Sequence, residues 1–416
     1  MKVAFSVTVF TASLFFAFNP SQNLFAGEDS KSVAVTDEKV PSGVVIREVE
    51  ITPSKLELSG PFDYRQILIT GKSTDGQTVD LTRIATVVSA PEFVDVDANR
   101  LVSNTANGSG EIKFSVLEKE ISLTVSSTQF EVPKKPDFIQ DVQPVLSRLG
   151  CNAGTCHGSK DGKGGFKLSL RGYDAIYDYR GFTDDLSARR INRVAPDQSL
   201  MLLKASGAIP HVGGQLTKPG EAYYEIIRSW IAEGVPYKKD TPRVASVEVF
   251  PKNPILPRAN LKQQIIVTAT YVDGTKRDVT REAFVESGNI EIIKEEKGGV
   301  LNVLRRGEAP VLIRYEGAYA ATTLTVMGDR TGFVWNKPET FNYIDEHVYN
   351  KLERVKVSPA QLCTDDEFCR RIYIDLTGLP PTVAELESFR RDNRPTKIKR
   401  DALIDDLVGN REFVEN

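Results

Sequence analysis

The chain is poor in the residues that most often carry chemistry. Its 416 residues include three histidines, four cysteines, three methionines and two tryptophans. A site built on imidazole, thiolate or thioether therefore has a short list of candidates. Charge of one sign is also lacking. The net charge is −3, with no basic excess, which excludes the electrostatic footprint of a nucleic-acid binder. Long apolar runs are scarce too, and the one present spans Val3 to Phe18. It follows Met1-Lys2 and precedes Asn19-Pro20 and a small-residue site near Ala26-Gly27. This is the pattern of a secretory signal peptide over residues 1–26 rather than of a membrane span. The mature chain is expected to be exported, to a periplasm or cell surface, with no span after cleavage. The remainder is ordinary folding material, 40% hydrophobic and 26% charged, long enough for several domains.

Residues 27–43 are polar and aperiodic, which predicts a linker. From 44 to 128 short alternating runs such as Ile121-Ser122-Leu123-Thr124-Val125 are broken by hairpin dipeptides, Asp75-Gly76 and Asn107-Gly108. That spacing predicts a β-sandwich. The pattern returns at 244–328 with a constant offset of 198 residues. Val49-Glu50-Ile51 with Pro53 matches Val247-Glu248-Val249 with Pro251. Gln66, Thr70, Asp75-Gly76, Asp80 and Thr82 match Gln264, Thr268, Asp273-Gly274, Asp278 and Thr280. A gapless match of this length is an internal repeat. Both copies resemble the group-2 bacterial immunoglobulin-like domains of exported surface proteins. Neither contains histidine or cysteine, so neither is assigned chemistry. They read as spacers or adhesion modules, with a surface protein or polysaccharide as the expected partner.

Between the copies, 137–238 has a different character. Asp141 and Pro144 predict a helix start, Val145, Leu146 and Leu149 its apolar face, and Gly150 its end. Tyr223, Ile226, Ile227, Trp230 and Ile231 fall at helical spacing before Gly234 and Pro236. At the first helix end lies Cys151-Asn152-Ala153-Gly154-Thr155-Cys156-His157. Two thiols followed by an imidazole suit covalent haem attachment, with Cys151 and Cys156 adding to the vinyl groups and His157 reaching the iron. Four residues separate the cysteines here, where the usual spacing is two. The second axial ligand would come from His211, in Pro210-His211-Val212-Gly213-Gly214, or from Met201 within an apolar run. Two other readings of the same residues remain open: zinc held by two thiolates and two imidazoles, and a plain Cys151–Cys156 disulfide. Gly158 to Gly164 lacks the glycine spacing of a phosphate loop.

With Gly165-Phe166-Lys167-Leu168-Ser169-Leu170-Arg171-Gly172, Pro196-Asp197-Gln198-Ser199-Leu200 and Trp230-Ile231-Ala232-Glu233-Gly234, the segment resembles the cytochrome c-like module of large exported planctomycete proteins. That resemblance implies a mainly α haem domain and favours His211 as second ligand. From 335 to 416 the pattern turns helical, and Arg370 to Thr382 resembles the start of the helical domain of unknown function that follows such modules. His347 reads as a surface residue. Cys363 and Cys369, six apart, pair only if they do not share one helix. The expected architecture is two immunoglobulin-like sandwiches, one mainly α cytochrome c-like domain and part of a helical domain. The expected function is one-electron transfer through haem c to a redox partner protein, not catalysis. The competing expectation is a cell-surface binding or scaffold protein without haem.

Overall fold

The computed structural model describes residues 38–416, apart from 75, 133, 134 and 331. The expected signal peptide lies outside the described residues, as does most of the linker. Among the described residues no helix is long and apolar enough to cross a membrane.

The first β-domain runs through β1 (Ile46–Thr52), β2 (Lys55–Ser59), β3 (Tyr64–Gln66), β4 (Leu68–Ser73), β5 (Thr78–Asp80), β6 (Thr86–Ser89), β7 (Val94–Val96), β8 (Leu101–Asn104), β9 (Gly108–Val116) and β10 (Lys119–Thr128). Its sheets have the orders β1-β4-β5, β2-β10-β9-β6 and β3-β8-β7. Strand formation follows from alternation. In β10 Leu123, Val125 and Ser127 are buried while Ser122, Thr124 and Thr128 face water. Leu56, Ile67, Leu81, Ile112 and Phe114 are fully buried between the sheets.

The second β-domain repeats this order strand for strand: β11 (Val244–Phe250), β12 (Ile255–Leu256), β13 (Leu261–Gln264), β14 (Ile266–Tyr271), β15 (Lys276–Asp278), β16 (Phe284–Ser287), β17 (Ile293–Glu295), β18 (Val300–Val303), β19 (Gly307–Tyr315) and β20 (Ala318–Val326). Its sheets are β11-β14-β15, β12-β20-β19-β16 and β13-β18-β17. Even the parallel pairing of β2 with β10 recurs, as β12 with β20. Gly274 takes φ +82 in the β14–β15 hairpin, and Gly76 takes φ +77 at the equivalent turn, a conformation that glycine enters without steric cost.

The two copies clasp each other through equivalent atoms. Gln66 N donates to Asp278 Oδ2 at 2.7 Å, and Gln264 N donates to Asp80 Oδ2 at 2.6 Å. Each aspartate also caps its own turn, where Thr82 N and Thr280 N reach Oδ1 at 2.8 and 2.9 Å. All four clasp residues are buried, the most exposed being Asp278 at 6%. The arrangement is self-complementary, as in a two-fold interface, but here both halves belong to one chain.

Residues 137–238 pack onto this pair. Asp137, not Asp141, caps the entry. Its carboxylate accepts from Ile139 N at 2.8 Å and Gln140 N at 3.1 Å, starting a π-helical turn at Phe138–Val142. Then come α1 (Gln143–Arg148), α2 (Ala175–Thr183), α3 (Asp185–Ala188), α4 (Leu200–Ala205) and α5 (Ala222–Ala232). α3 is a left-handed turn rather than a true helix, with Leu186 at φ 51 and Ser187 at φ 56. The module is largely loop, with its centre filled by its own side chains. Phe138, Val142, Leu202, Trp230 and Ile231 are fully buried, and the Phe138 ring lies 5.3 Å from Trp230. The named elements of this module are all helical, and aromatic side chains occupy its interior. Arg277 ties the module to the second sandwich, donating to Asp141 Oδ1 and to Gln140 O, each at 3.0 Å.

Residues 330–416 form a second compact unit. It contains α6 (Tyr343–Arg354), α7 (Asp365–Thr377), α8 (Val383–Arg391), α9 (Thr396–Val408) and α10 (Arg411–Glu415). Capping boxes start three of them: Asn342 with Asp345, Thr364 with Glu367 and Thr382 with Glu385. Gly378 at φ 74 ends α7. Cys369, Phe389 and Leu407 form the buried contacts. Cys363 precedes α7 and Cys369 lies within it, and both are free thiols. His347 is exposed on α6, edge-on to Tyr343.

Candidate functional site

The site builds from the turn at the end of α1. Gly150 takes φ +79, and the next residues curl back on themselves. Cys156 N donates to Ala153 O at 2.9 Å, His157 N to Cys151 O at 3.0 Å and Gly158 N to Ala153 O at 3.1 Å. The coil is so tight that a Cβ on Gly158 would stand 2.0 Å from Asn152 O. Asn152 is 2% exposed and anchors the coil, donating from Nδ2 to Ser147 Oγ at 2.7 Å. Its carbonyl accepts from Arg171 N at 2.9 Å.

This coil and the Pro210–Gly214 loop bring two histidines face to face. The rings of His157 and His211 are parallel within 8°, with centroids 6.5 Å apart. His157 Nδ1 lies 3.1 Å from Phe166 O, and His211 Nδ1 lies 3.2 Å from Gly214 O. A carbonyl at Nδ1 places the ring proton there and leaves Nε2 as the open position on each ring. Burial pulls the His157 pKa below its ordinary value, opposed by the Phe166 carbonyl and reinforced by neighbouring His211. The Phe166 ring packs 4.7 Å from His157, and the Arg190 guanidinium lies over that same ring, 4.1 Å from its centroid. Arg190 is 6% exposed and donates to Gly181 O at 2.9 Å and to Gly165 O at 3.2 Å.

The thiols are placed differently. Cys151 packs against the module core, and burial pushes its thiol up to about 12, with Cys156 adding to the shift. Such a thiol carries almost no thiolate near neutral pH and is a poor nucleophile. Cys151 and Cys156 are free thiols in this structure. Met201, the other named candidate, packs against the hydrophobic core, and its N–H donates to Arg190 O at 3.2 Å. Of the residues singled out by sequence, the structure thus pairs His157 with His211 and leaves Met201 as core packing.

Comparison with known proteins adds three findings. Residues 343–416 match the family model described as "PSCyt2: Protein of unknown function (DUF1549)", the stretch expected to open a helical domain of unknown function. Among solved structures, the chain is similar to the S-layer protein SbsC, domains 5–6, at 9% identity and a TM-score of 0.26, over 68% of this chain and 99% of that one. It is also similar to Drosophila OTK, extracellular domains 3–5, at 8% identity and a TM-score of 0.14, over 68% of this chain and 63% of that one. A comparison with curated proteins gives no match.

The expected cytochrome function is corrected on these grounds. Among the described residues no group of three or more His, Cys, Asp or Glu side chains gathers to hold a metal ion. Cys151, Cys156, His157 and His211 do not form such a group. The partly buried Cys151 packs against the hydrophobic core of the module.

Sequence reasoning missed the clasp. Gln66, Asp80, Gln264 and Asp278 were visible only as matched repeat positions. A buried-looking aspartate kept in both copies beside Thr82 and Thr280 was the available signal.

Proposed function

We propose that this chain is an exported cell-surface scaffold protein, in which the two sandwiches form a rigid frame and residues 137–238 are braced against it. The observation that carries this reading is the clasp, Gln66 N to Asp278 and Gln264 N to Asp80. Tandem β-domains joined only by linkers move independently by default. Here buried, charge-assisted hydrogen bonds remove that freedom at two equivalent points. Further ties support a frame. Tyr64 OH donates to Glu282 Oε2 at 2.5 Å, and Thr241 Oγ1 donates to Asp137 Oδ2 at 2.7 Å. The N-terminal signal pattern supports export.

The test is location and rigidity together. The full chain, produced in a Gram-negative host with its own N-terminus, is expected to be labelled by a membrane-impermeant biotin reagent on intact cells. The 38–329 unit is expected to resist limited proteolysis as one fragment. Confinement to the cytoplasm, or ready cleavage between the sandwiches, would sink the reading.

A further inference from the structure

On one side of the paired sandwiches, strands of both copies enclose a cleft of about 530 Å³, within the size range of small-ligand sites. Its walls come from β1, β4 and β5 of the first copy and β11, β14 and the Pro251–Pro254 turn of the second. We propose that this cleft binds a short run of pyranose rings, part of a surface oligosaccharide or polysaccharide. This inference rests on the scaffold reading, to which it adds a ligand.

Three observations carry it. First, Phe250 lines the cleft and is 40% exposed, where the first repeat has Thr52 at the same position. A strand at a domain edge has no packing reason for an exposed ring there. An aromatic face offers the flat apolar surface that the C–H side of a sugar ring stacks on. Second, Thr70 lines the same cleft with only 9% of its surface exposed, and its hydroxyl has no hydrogen-bond partner. A buried polar group left unsatisfied carries a cost, and a small turn of the Thr70 hydroxyl toward the cleft would let a ligand hydroxyl relieve it. Third, the polar lining mixes carboxylates and amines: Glu248 and Lys252, beside a Glu50–Lys72 ion pair. Such a set both accepts from and donates to neutral hydroxyls, whereas an ionic ligand would call for one sign. The lip on the Phe250 side carries Pro251 and Pro254. Those residues have no N–H, so this edge is a poor template for an added peptide strand.

The experiment is isothermal titration of the full chain with cellotetraose, maltotetraose and chitotetraose, and with a Val-Thr-Val-Thr peptide as the strand-type alternative. At least one saccharide is expected to bind. Phe250→Thr, which copies the first repeat, should weaken that binding about tenfold. Thr70→Val should weaken it about fivefold while raising the melting temperature of the free protein, because a methyl group replaces an unpartnered hydroxyl. A purely structural residue would not move affinity and stability in opposite directions. No saccharide binding, an unaffected Phe250→Thr variant, or binding of the peptide alone would overturn the proposal. Surface labelling is read separately. A surface-located chain that ignores every saccharide defeats this inference and leaves the scaffold reading standing, while a cytoplasmic chain defeats the scaffold reading itself.

Discussion

Two carboxylates in the second sandwich make its stability depend on pH. Burial pushes Asp278 up to about 6, opposed by the hydrogen bonds from Gln66 and Thr280. Burial pushes half-buried Glu316 up to about 7, opposed by Arg243 and Arg277. A carboxyl whose pKa is raised on folding binds its proton more tightly in the folded state. Stability from these groups is therefore full below their ordinary values of 3.8 and 4.5 and is lost as pH rises through 6 to 7. Thermal melts should show a lower midpoint at pH 8 than at pH 5. Glu316→Gln should recover about 1–3 kcal/mol at pH 8 and little at pH 5. A midpoint that rises steadily from pH 5 to pH 8 would contradict this. The thiols allow a second check at the same scale. With Cys151 pushed up to about 12, iodoacetamide at pH 7.5 should modify Cys156 well before Cys151, read by peptide mass spectrometry.

At the scale of elements, the clasp and the Arg277 tie are the places where single changes should cost most. Asp278→Ala removes the acceptor of Gln66 N and of both Thr280 donors. It should lower unfolding free energy by about 2–3 kcal/mol in urea titrations. Arg277→Leu takes the guanidinium away from Asp141, which is 7% exposed, and should cost about 3 kcal/mol. Much of the element order was legible beforehand. Alternation and the 198-residue offset gave both sandwiches, and helical spacing gave α1 and α5. The helix start was misplaced from Asp137 to Asp141 because both are acidic and four apart. Only the structure shows that Asp141 instead accepts from Arg277. His157 and His211 could be named beforehand because few histidines exist, but that their rings lie parallel is shown only by the structure. The packing of Cys151 was not legible, since a motif gives residue types in order but not which way each side chain turns. Nor was the clasp. Asp80 and Asp278 bond to residues 184 and 212 positions away, and no local pattern announces a partner at that distance.

For the molecule as a whole, the chain leaves the first sandwich, builds residues 137–238 and returns to form a second sandwich that grips the first. Considered mechanically, this makes the clasp a shunt. Tension applied between the start of β1 and the end of β20 passes from one sandwich to the other through the Asp–Gln bonds. The intervening segment lies on a parallel branch, closed at its neck by Thr241 to Asp137, and bears little load until those Asp–Gln bonds shear. In single-molecule pulling, the length stored in 137–238 should be released only after clasp rupture, in one step. An Asp80→Ala, Asp278→Ala double variant should release that length at lower force. A chain built this way keeps its most tightly coiled loop, from Cys151 to Gly158, out of the line of strain.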